Sequence, residues 1–318
     1  MNYAWVMVIP KLRSDLRIDM HTHSLRSDGR GEPTQVMREA AAAGLDIVAL
    51  TDHDTVAGWQ EAHDSAVGLG LGFIPGIELT TRAQGAGDSR FTVHLLAYLP
   101  DPSNQELRAV LAESVASRLV RLQQITELLA DDYDISWDDV LEVLADGKVA
   151  GRPAVADAMI RRGIFEAREP FFDIVKPGAK YYVPNRGVPE TRAAIALIRR
   201  AGGVPVIAHP MARGRGPKPG EPMPRQHFEE LIEAGLAGFE TGHRDVAPNV
   251  SDWLKSLAAE FGLFVTGSSD YHGTGKPNLL GENVTSPSAL ELILEQATSL
   301  QSGAGTIPLH IPDTMLRN

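Results

Sequence analysis

The sequence predicts an α/β fold, a βα barrel interrupted by a mainly helical insertion, and three observations carry that expectation. Short apolar runs alternate with amphipathic helix signals over residues 16–103 and again over 186–303. Between them, residues 104–185 lose the strand signals and place Leu107, Val110, Leu111, Val115, Leu119, Leu122, Ile125 and Leu128 at helical spacing. Finally, polar residues of the metal-binding kind stand at the ends of the expected strands, the face on which βα barrels build their sites.

Taken in order, Arg17–Met20 reads as a first strand, and Pro33 opens a helix that runs to Gly44, with proline in its first turn and glycine past its end. Leu45–Leu50 is a second strand, Val56–Val67 a helix, and Phe73–Leu79 and Phe91–Leu99 are strands; the alternation predicts parallel βα units. After the insertion come helix Pro189–Ala201, strand Val204–Ala208, helix Gln226–Ala234, strand Gly238–Thr241, helix Pro248–Phe261, strand Leu263–Thr266 and helix Pro287–Thr298. Arg213–Pro224, rich in glycine and proline, reads as a mobile loop.

Composition narrows the chemistry. A chain of 318 residues with 43% hydrophobic and 22% charged residues buries a full core, and no apolar run nears the roughly 18 residues needed to span a bilayer. Tyr3–Pro10 is apolar but has no basic start and no small-residue cleavage site, so it reads as a leader or outer strand rather than an export signal, and the expected compartment is cytoplasmic. With no cysteine, disulfides, thiolate nucleophiles and Cys-ligated zinc are excluded. A net charge of -11 argues against a basic groove that tracks a long nucleic-acid backbone, and leaves room for a small phosphorylated substrate held through bound cations. No protein partner and no membrane are indicated.

The strand-end clusters are Asp19-Met-His21-Thr-His23, Ser27-Asp28-Gly29, Thr51-Asp52-His53-Asp54, Gly76-Ile-Glu78, His94, Ala208-His209-Pro210, Glu240-Thr-Gly-His243 and Ser269-Asp270-Tyr-His272. His21 and His23 lie two apart on a strand and so face one side, where they are able to share a cation. One histidine alone is usually a hydrogen-bonded core or surface residue. Seven of the ten histidines fall at these positions, which is what points to a site; His63, His227 and His310 do not.

These clusters, in this order, resemble the polymerase-and-histidinol-phosphatase (PHP) family of metal enzymes, through Ile18-Asp-Met-His-Thr-His-Ser24, Ser27-Asp-Gly29, Leu50-Thr-Asp-His-Asp-Thr55, Pro75-Gly-Ile-Glu78, His94, Ala208-His-Pro210 and Gly267-Ser-Ser-Asp-Tyr-His272. Gly151-Arg152-Pro153 is similar to a signature of the small bacterial branch that carries a helical insert and acts on nucleotides or RNA ends, although Ala154 stands where that branch often has histidine. The resemblance implies a distorted seven-stranded, TIM-like (βα)7 barrel with an inserted cap and up to three metal ions; two to three divalent ions are expected, and imidazole plus carboxylate without thiolate suits Mn, Fe or Zn. It implies one ion on His21, His23, Glu78 and Asp270, a second on Glu78, His94 and His209, and a third on Asp28, His53 and His272.

Clustered divalent ions neutralise a phosphate dianion and supply hydroxide at neutral pH, so no protein nucleophile is expected. His243 and Asp52 are the candidate catalytic side chains, with Asp54 a further one; Asp52 and Asp54 are equally readable as groups that orient His53, and Asp19 as one that orients the first histidine pair. Arg152 is the leading phosphate-binding candidate, followed by Lys180, Arg186 and Arg213. The expected function is hydrolysis of phosphate monoesters of nucleotides, a mononucleotide such as AMP or a nucleoside 3',5'-bisphosphate. Alternatives are a 5'-to-3' exonuclease on short RNA, a histidinol phosphate phosphatase and a non-catalytic interaction module.

Overall fold

A computed structural model describes residues 11–84, 90–145, 150–212, 216, 223–302 and 307–317. Tyr3–Pro10 and nearly all of Arg213–Pro224, Arg213 included, lie outside the described residues. Seven strands form one sheet in chain order: β1 (Ile18–Asp19), β2 (Ile47–Leu50), β3 (Gly72–Gln84), β4 (Arg90–Tyr98), β5 (Val204–Ile207), β6 (Gly238–Gly242) and β7 (Phe264–Gly267). Beyond their regular parts the first and last strands meet, because Thr22 bridges Tyr271 and the His23 N–H donates to the Tyr271 carbonyl at 2.8 Å. The sheet is thereby nearly closed into the barrel that the strand count implied.

The helices α1 (Pro33–Ala42), α2 (Trp59–Leu69), α7 (Thr191–Arg200), α8 (Arg225–Glu233), α9 (Pro248–Phe261), α10 (Pro287–Gln296) and α11 (Ser299–Ser302) alternate with these strands. Between β4 and β5 stand α3 (Gln105–Ala130), α4 (Trp137–Ala145), α5 (Arg152–Arg161) and α6 (Glu169–Ile174). Their limits follow local chemistry: α9 starts on Pro248 and stops where Gly262 takes φ 66°. Helix α2 begins three residues later than the periodicity predicts, since Val56 to Trp59 form a turn and the Trp59 indole donates to the Gly76 carbonyl at 2.8 Å.

Strand residues are apolar on both faces because both faces are covered. One alternate set (Ile47, Ala49, Ile74, Leu96, Tyr98, Val204, Val206) packs with Leu12, Leu290 and Ile293, and the other (Val48, Leu50, Phe73, Leu95, Ala97, Ile207, Phe239) packs beneath α1, α2, α7, α8 and α9. Helices α3 to α6 enclose a separate cluster that includes Leu122, Ile125, Leu129, Val155, Met159 and Phe171. Among the described residues no helix is long and apolar enough to cross a membrane.

One expectation fails. The strands are not uniformly parallel, because β4 runs antiparallel to both β3 and β5. The physical reason is connection length: only five residues, 85–89, separate β3 from β4, and a link that short returns only as an antiparallel neighbour.

The two ends of the described chain are tied at the base of the barrel. Leu12 bridges Leu316, Phe73 bridges His310, and the buried Glu291 carboxylate accepts from the Leu12 N–H at 2.7 Å and from Lys11 at 3.0 Å. Replacing Glu291 with leucine leaves a buried N–H without its acceptor, so Glu291→Leu is expected to lower unfolding stability by about 1–3 kcal/mol in urea titration, with metal content unchanged.

Candidate functional site

The site is an extension of the barrel interior. Ile74, Gly76 and Glu78 share one face of β3, and Tyr98, Leu96 and His94 share the facing side of β4, so the inward rows that are apolar below turn polar above. Glu78 is 1% exposed. Its Oε2 lies 3.2 Å from His21 Nε2, 3.1 Å from His23 Nε2 and 3.2 Å from His53 Nδ1, while Oε1 lies 2.8 Å from His94 Nδ1 and 3.0 Å from His209 Nε2. Asp270 Oδ1 stands 3.5 Å from His21 and 3.3 Å from His23, and Asp28 Oδ1 stands 3.0 Å from His272 Nε2.

Local backbone devices bring these groups in. Gly29 packs so tightly under the turn after β1 that a Cβ there would come within 2.5 Å of the His23 carbonyl oxygen, which lets Asp28 fold back over the histidine pair. Asp54, His209 and Asp270, each in the segment that follows a strand, hold left-handed φ values of 51°, 30° and 53°. Such conformations cost roughly 1–3 kcal/mol each and concentrate where geometry serves a function.

The charge balance follows from burial and proximity. Burial pulls His53 down to about 3 and His209 down to about 4, which keeps both rings neutral with lone pairs to offer. Burial pushes Glu78 the other way, yet the rings around it, with His21 and His23 raised against their own burial by the carboxylates beside them, hold it well below the ordinary carboxylate range. Neutral imidazole and ionised carboxylate are the forms that bind a divalent cation. Three groups have ligand atoms within 4.8 Å of one another: His21, His23, Glu78 and Asp270; His53, Glu78 and His94; and His23, Asp28, His53 and His272. His21 and His23 aim their Nε2 atoms at each other across 2.9 Å, an approach that a shared electrophile stabilises. The donor set therefore fits hard or borderline divalent ions with nitrogen and oxygen ligands.

All nine residues expected as ligands are brought together. His243 also faces the cluster, with Nδ1 accepting from the Asp245 N–H at 3.0 Å and Nε2 at 3.4 Å from Asp270 Oδ2. Other expectations need correction. Asp52 does not reach His53 or the cleft: its carboxylate accepts from the Ser24 N–H and hydroxyl and from the Ser27 hydroxyl, pinning the turn after β1. Asp54 accepts from the Thr80 N–H and pairs with Arg118 of α3. Asp19 accepts from backbone N–H groups of Ser269 and Gly281 rather than from a ring, and burial pushes it up to about 6.

Arg152 opens α5 with its guanidinium 5.7 Å from the centre of the Phe172 ring. Lys180 is exposed and pairs with Asp132 beside Tyr181. His63 and His310 pack edge to face with ring centroids 6.1 Å apart, and His227 packs on Phe91, so these three stay outside the site.

Two clefts flank the cluster. One is lined by His53, Glu78, His94, His209, His243, Asp245, Asp270 and Lys276 together with Ala212. The other lies between Asp28 and the start of α5, with Leu25, Ser27, Gly29, Arg30, Gly151, Pro153, Ala154, Asp157 and Arg168 on its walls. Sequence reasoning passed over four of the residues concerned. Glu240 fixes His21 by accepting at Nδ1 at 3.0 Å and also accepts from the His209 N–H at 2.8 Å; it stood in a strand-end cluster where only the histidine drew notice. Lys276, Arg30 and Arg168 stand outside helices and strands, with no periodic signal to mark them.

Comparison with known proteins agrees with this geometry. Residues 19–155 match the PHP domain. A 3',5'-nucleoside bisphosphate phosphatase from Chromobacterium violaceum is 31% identical over 265 residues, 81% of this chain and 88% of that protein. A 5'-3' exoribonuclease from Haemophilus influenzae is 29% identical over 257 residues, 80% of this chain and 90% of that protein. A solved structure from Bifidobacterium adolescentis, proposed to be a metal-dependent phosphoesterase, aligns with a TM-score of 0.81 at 37% identity and covers 89% of this chain and 97% of its own.

Because Glu240 orients a ring that is itself in the cluster, Glu240→Gln is expected to weaken Mn or Zn binding about 10- to 100-fold while the protein stays folded. Metal titration followed by calorimetry reads this directly. An unchanged affinity would show that His21 needs no orienting carboxylate.

Proposed function

The chain belongs to the PHP domain family and is a metal-dependent phosphoesterase, and from that premise we propose that it hydrolyses phosphate monoesters of nucleotides, preferring a nucleoside 3',5'-bisphosphate over a mononucleotide. His21, His23, Glu78 and Asp270 would hold one divalent ion, Glu78, His94 and His209 a second, and Asp28, His53 and His272 a third. His53 is near enough to Glu78 to serve the second as well. When bound, such ions neutralise the phosphate and lower the pKa of water enough to ionise it at neutral pH.

The protein's own groups supply the rest. His243 Nδ1 accepts a backbone hydrogen bond, so in the neutral ring the proton sits on Nε2, which lies 3.4 Å from Asp270 Oδ2 in the wall of the cleft. That proton is available to the leaving oxygen of the ester. Glu240 keeps His21 in the tautomer whose Nε2 lone pair faces inward.

The observation that carries the bisphosphate reading is the second cleft. It adjoins Asp28 of the cluster, and its walls include two guanidinium groups, Arg30 and Arg168, which share one carboxylate, Asp157. A substrate whose first phosphate occupies the cluster is thus able to set a second on those guanidiniums, which suit phosphate oxygens. The overall charge of -11 disfavours a longer polyanion, which would need a basic track beyond this point.

Two expected outcomes test this reading. The purified protein should carry two to three equivalents of transition metal; chelation should abolish phosphate release and Mn or Zn should restore it. Less than one equivalent with no response to added metal would sink the multinuclear assignment. In a panel of AMP, nucleoside 3',5'-bisphosphate, histidinol phosphate and short and long RNA, the bisphosphate should give the highest kcat/KM. Arg30→Ala and Arg168→Ala should raise its KM about 10- to 100-fold and change AMP turnover far less. Faster action on long RNA with a steep salt dependence would assign the chain to the exoribonuclease activity instead.

A further inference from the structure

We propose that Lys276 is a phosphoryl-binding residue, whose ammonium takes a non-bridging oxygen of the phosphate under attack. This inference rests on the phosphoesterase reading and deepens it, naming a side chain that lies four residues beyond the last ligand motif.

Its position is specific. Lys276 Nζ donates to Asp270 Oδ2 at 2.8 Å, the outer oxygen of a carboxylate whose inner oxygen faces His21 and His23. One of three ammonium protons is used there, and the Lys276 side chain remains 35% exposed on the cleft wall where Asp270 is only 6% exposed. Among the described residues lining that cleft, Lys276 is the one ammonium or guanidinium; the other charged groups, Glu78, Asp245 and Asp270, are carboxylates. A phosphate dianion entering along this wall meets negative charge at each of those positions and a fixed positive charge only at Lys276.

The loop is also built to hold the ammonium still. Gly273 takes φ 65°, turning the chain directly after His272, and a Cβ at Gly273 or Gly275 would approach the Arg30 side chain to 3.2 Å. The far end is fastened by the buried Asn278, which donates to the Ser269 carbonyl at 2.6 Å, by the Gly281 N–H on Asp19 at 2.9 Å, and by Arg244 on Glu282 at 2.8 Å. A lysine merely neutralising a surface carboxylate needs none of this anchoring. The turn that delivers Lys276 to one cleft rides on Arg30, which walls the other, so the two phosphate-facing cations are positioned by one piece of backbone.

The competing role is a prop for Asp270, and metal content separates the two. Lys276→Ala is expected to raise KM for the best nucleotide and the inhibition constant of inorganic phosphate about 10- to 100-fold, the loss of a charged hydrogen bond, with metal equivalents unchanged. Because the chain has no cysteine, Lys276→Cys introduces a single thiol, and its alkylation with 2-bromoethylamine rebuilds an ammonium at that site alone. Recovery of phosphate affinity on alkylation supports the proposal. Wild-type phosphate inhibition in Lys276→Ala overturns it, as does a loss of affinity that follows metal loss and is repaired by excess Mn without the amine. If the wild-type enzyme cleaves no ester of the panel yet binds phosphate through Lys276, the substrate reading fails and this inference stands.

Discussion

The two oxygens of Glu78, buried at the top of the barrel interior, organise everything around them. An ionised carboxylate cannot sit at 1% exposure without compensation, and here five imidazoles borne on or just after β1, β2, β4 and β5 converge on it within 3.2 Å. The requirement works in both directions. The rings stay in place because the carboxylate attracts them, and the carboxylate stays ionised because the rings surround it. Around this knot the outer groups sort into tiers: Asp270 and Asp28 stand among the rings, and Glu240, Asp19 and Asp52 hold the backbone turns and ring orientations that present them.

This tiering accounts for what sequence reasoning reached and what it missed. The inner tier announces itself, because histidine and carboxylate pairs immediately after apolar strand runs have few other uses in such number, and all nine expected residues are found together. The outer tier is silent. Asp52 lies beside His53 in sequence but turns to Ser24 and Ser27, in the segment after β2 where no strand period marks which way each side chain points. Glu240 and Asp19 have the reverse relation: distant in sequence from the groups they hold, they become legible only once the strands are paired.

The cations were read least well, for a related reason. An arginine or lysine carries no periodicity of its own, and its partner is decided by packing. Arg152 stands out for its place in a motif and opens α5 with its guanidinium over Phe172, while its neighbours Gly151 and Pro153 line the cleft and Arg30 and Arg168, in no motif, line it too. The barrel itself was legible from alternating apolar runs. The reversed β4 was not, since an apolar strand reads the same in either direction and only the brevity of its link to β3 distinguishes the two.

That reversal has a mechanical consequence for the helical segment. A parallel fourth strand would have ended at the rim beside the ligands, and whatever followed would have hung there on a loop. Because β4 ends instead at the base, where Tyr98 pairs with Val204 and the Asp101 N–H meets the Ala201 carbonyl, α3 has to climb the outside of the barrel to return. At 1.5 Å per residue, the 13 steps from Gln105 to Arg118 cover about 20 Å, and at that height the arginine pairs with Asp54 beside His53. Below this point Leu107 and Leu111 belong to the barrel core, and above it Leu122, Ile125 and Leu129 belong to the core of the helical segment. One unbroken rod thus carries both cores, like a mast stepped in the keel and stayed at deck level, and the attitude of the helices above it toward the Glu78 cluster is set by the stiffness of a helix rather than by the slack of a hinge.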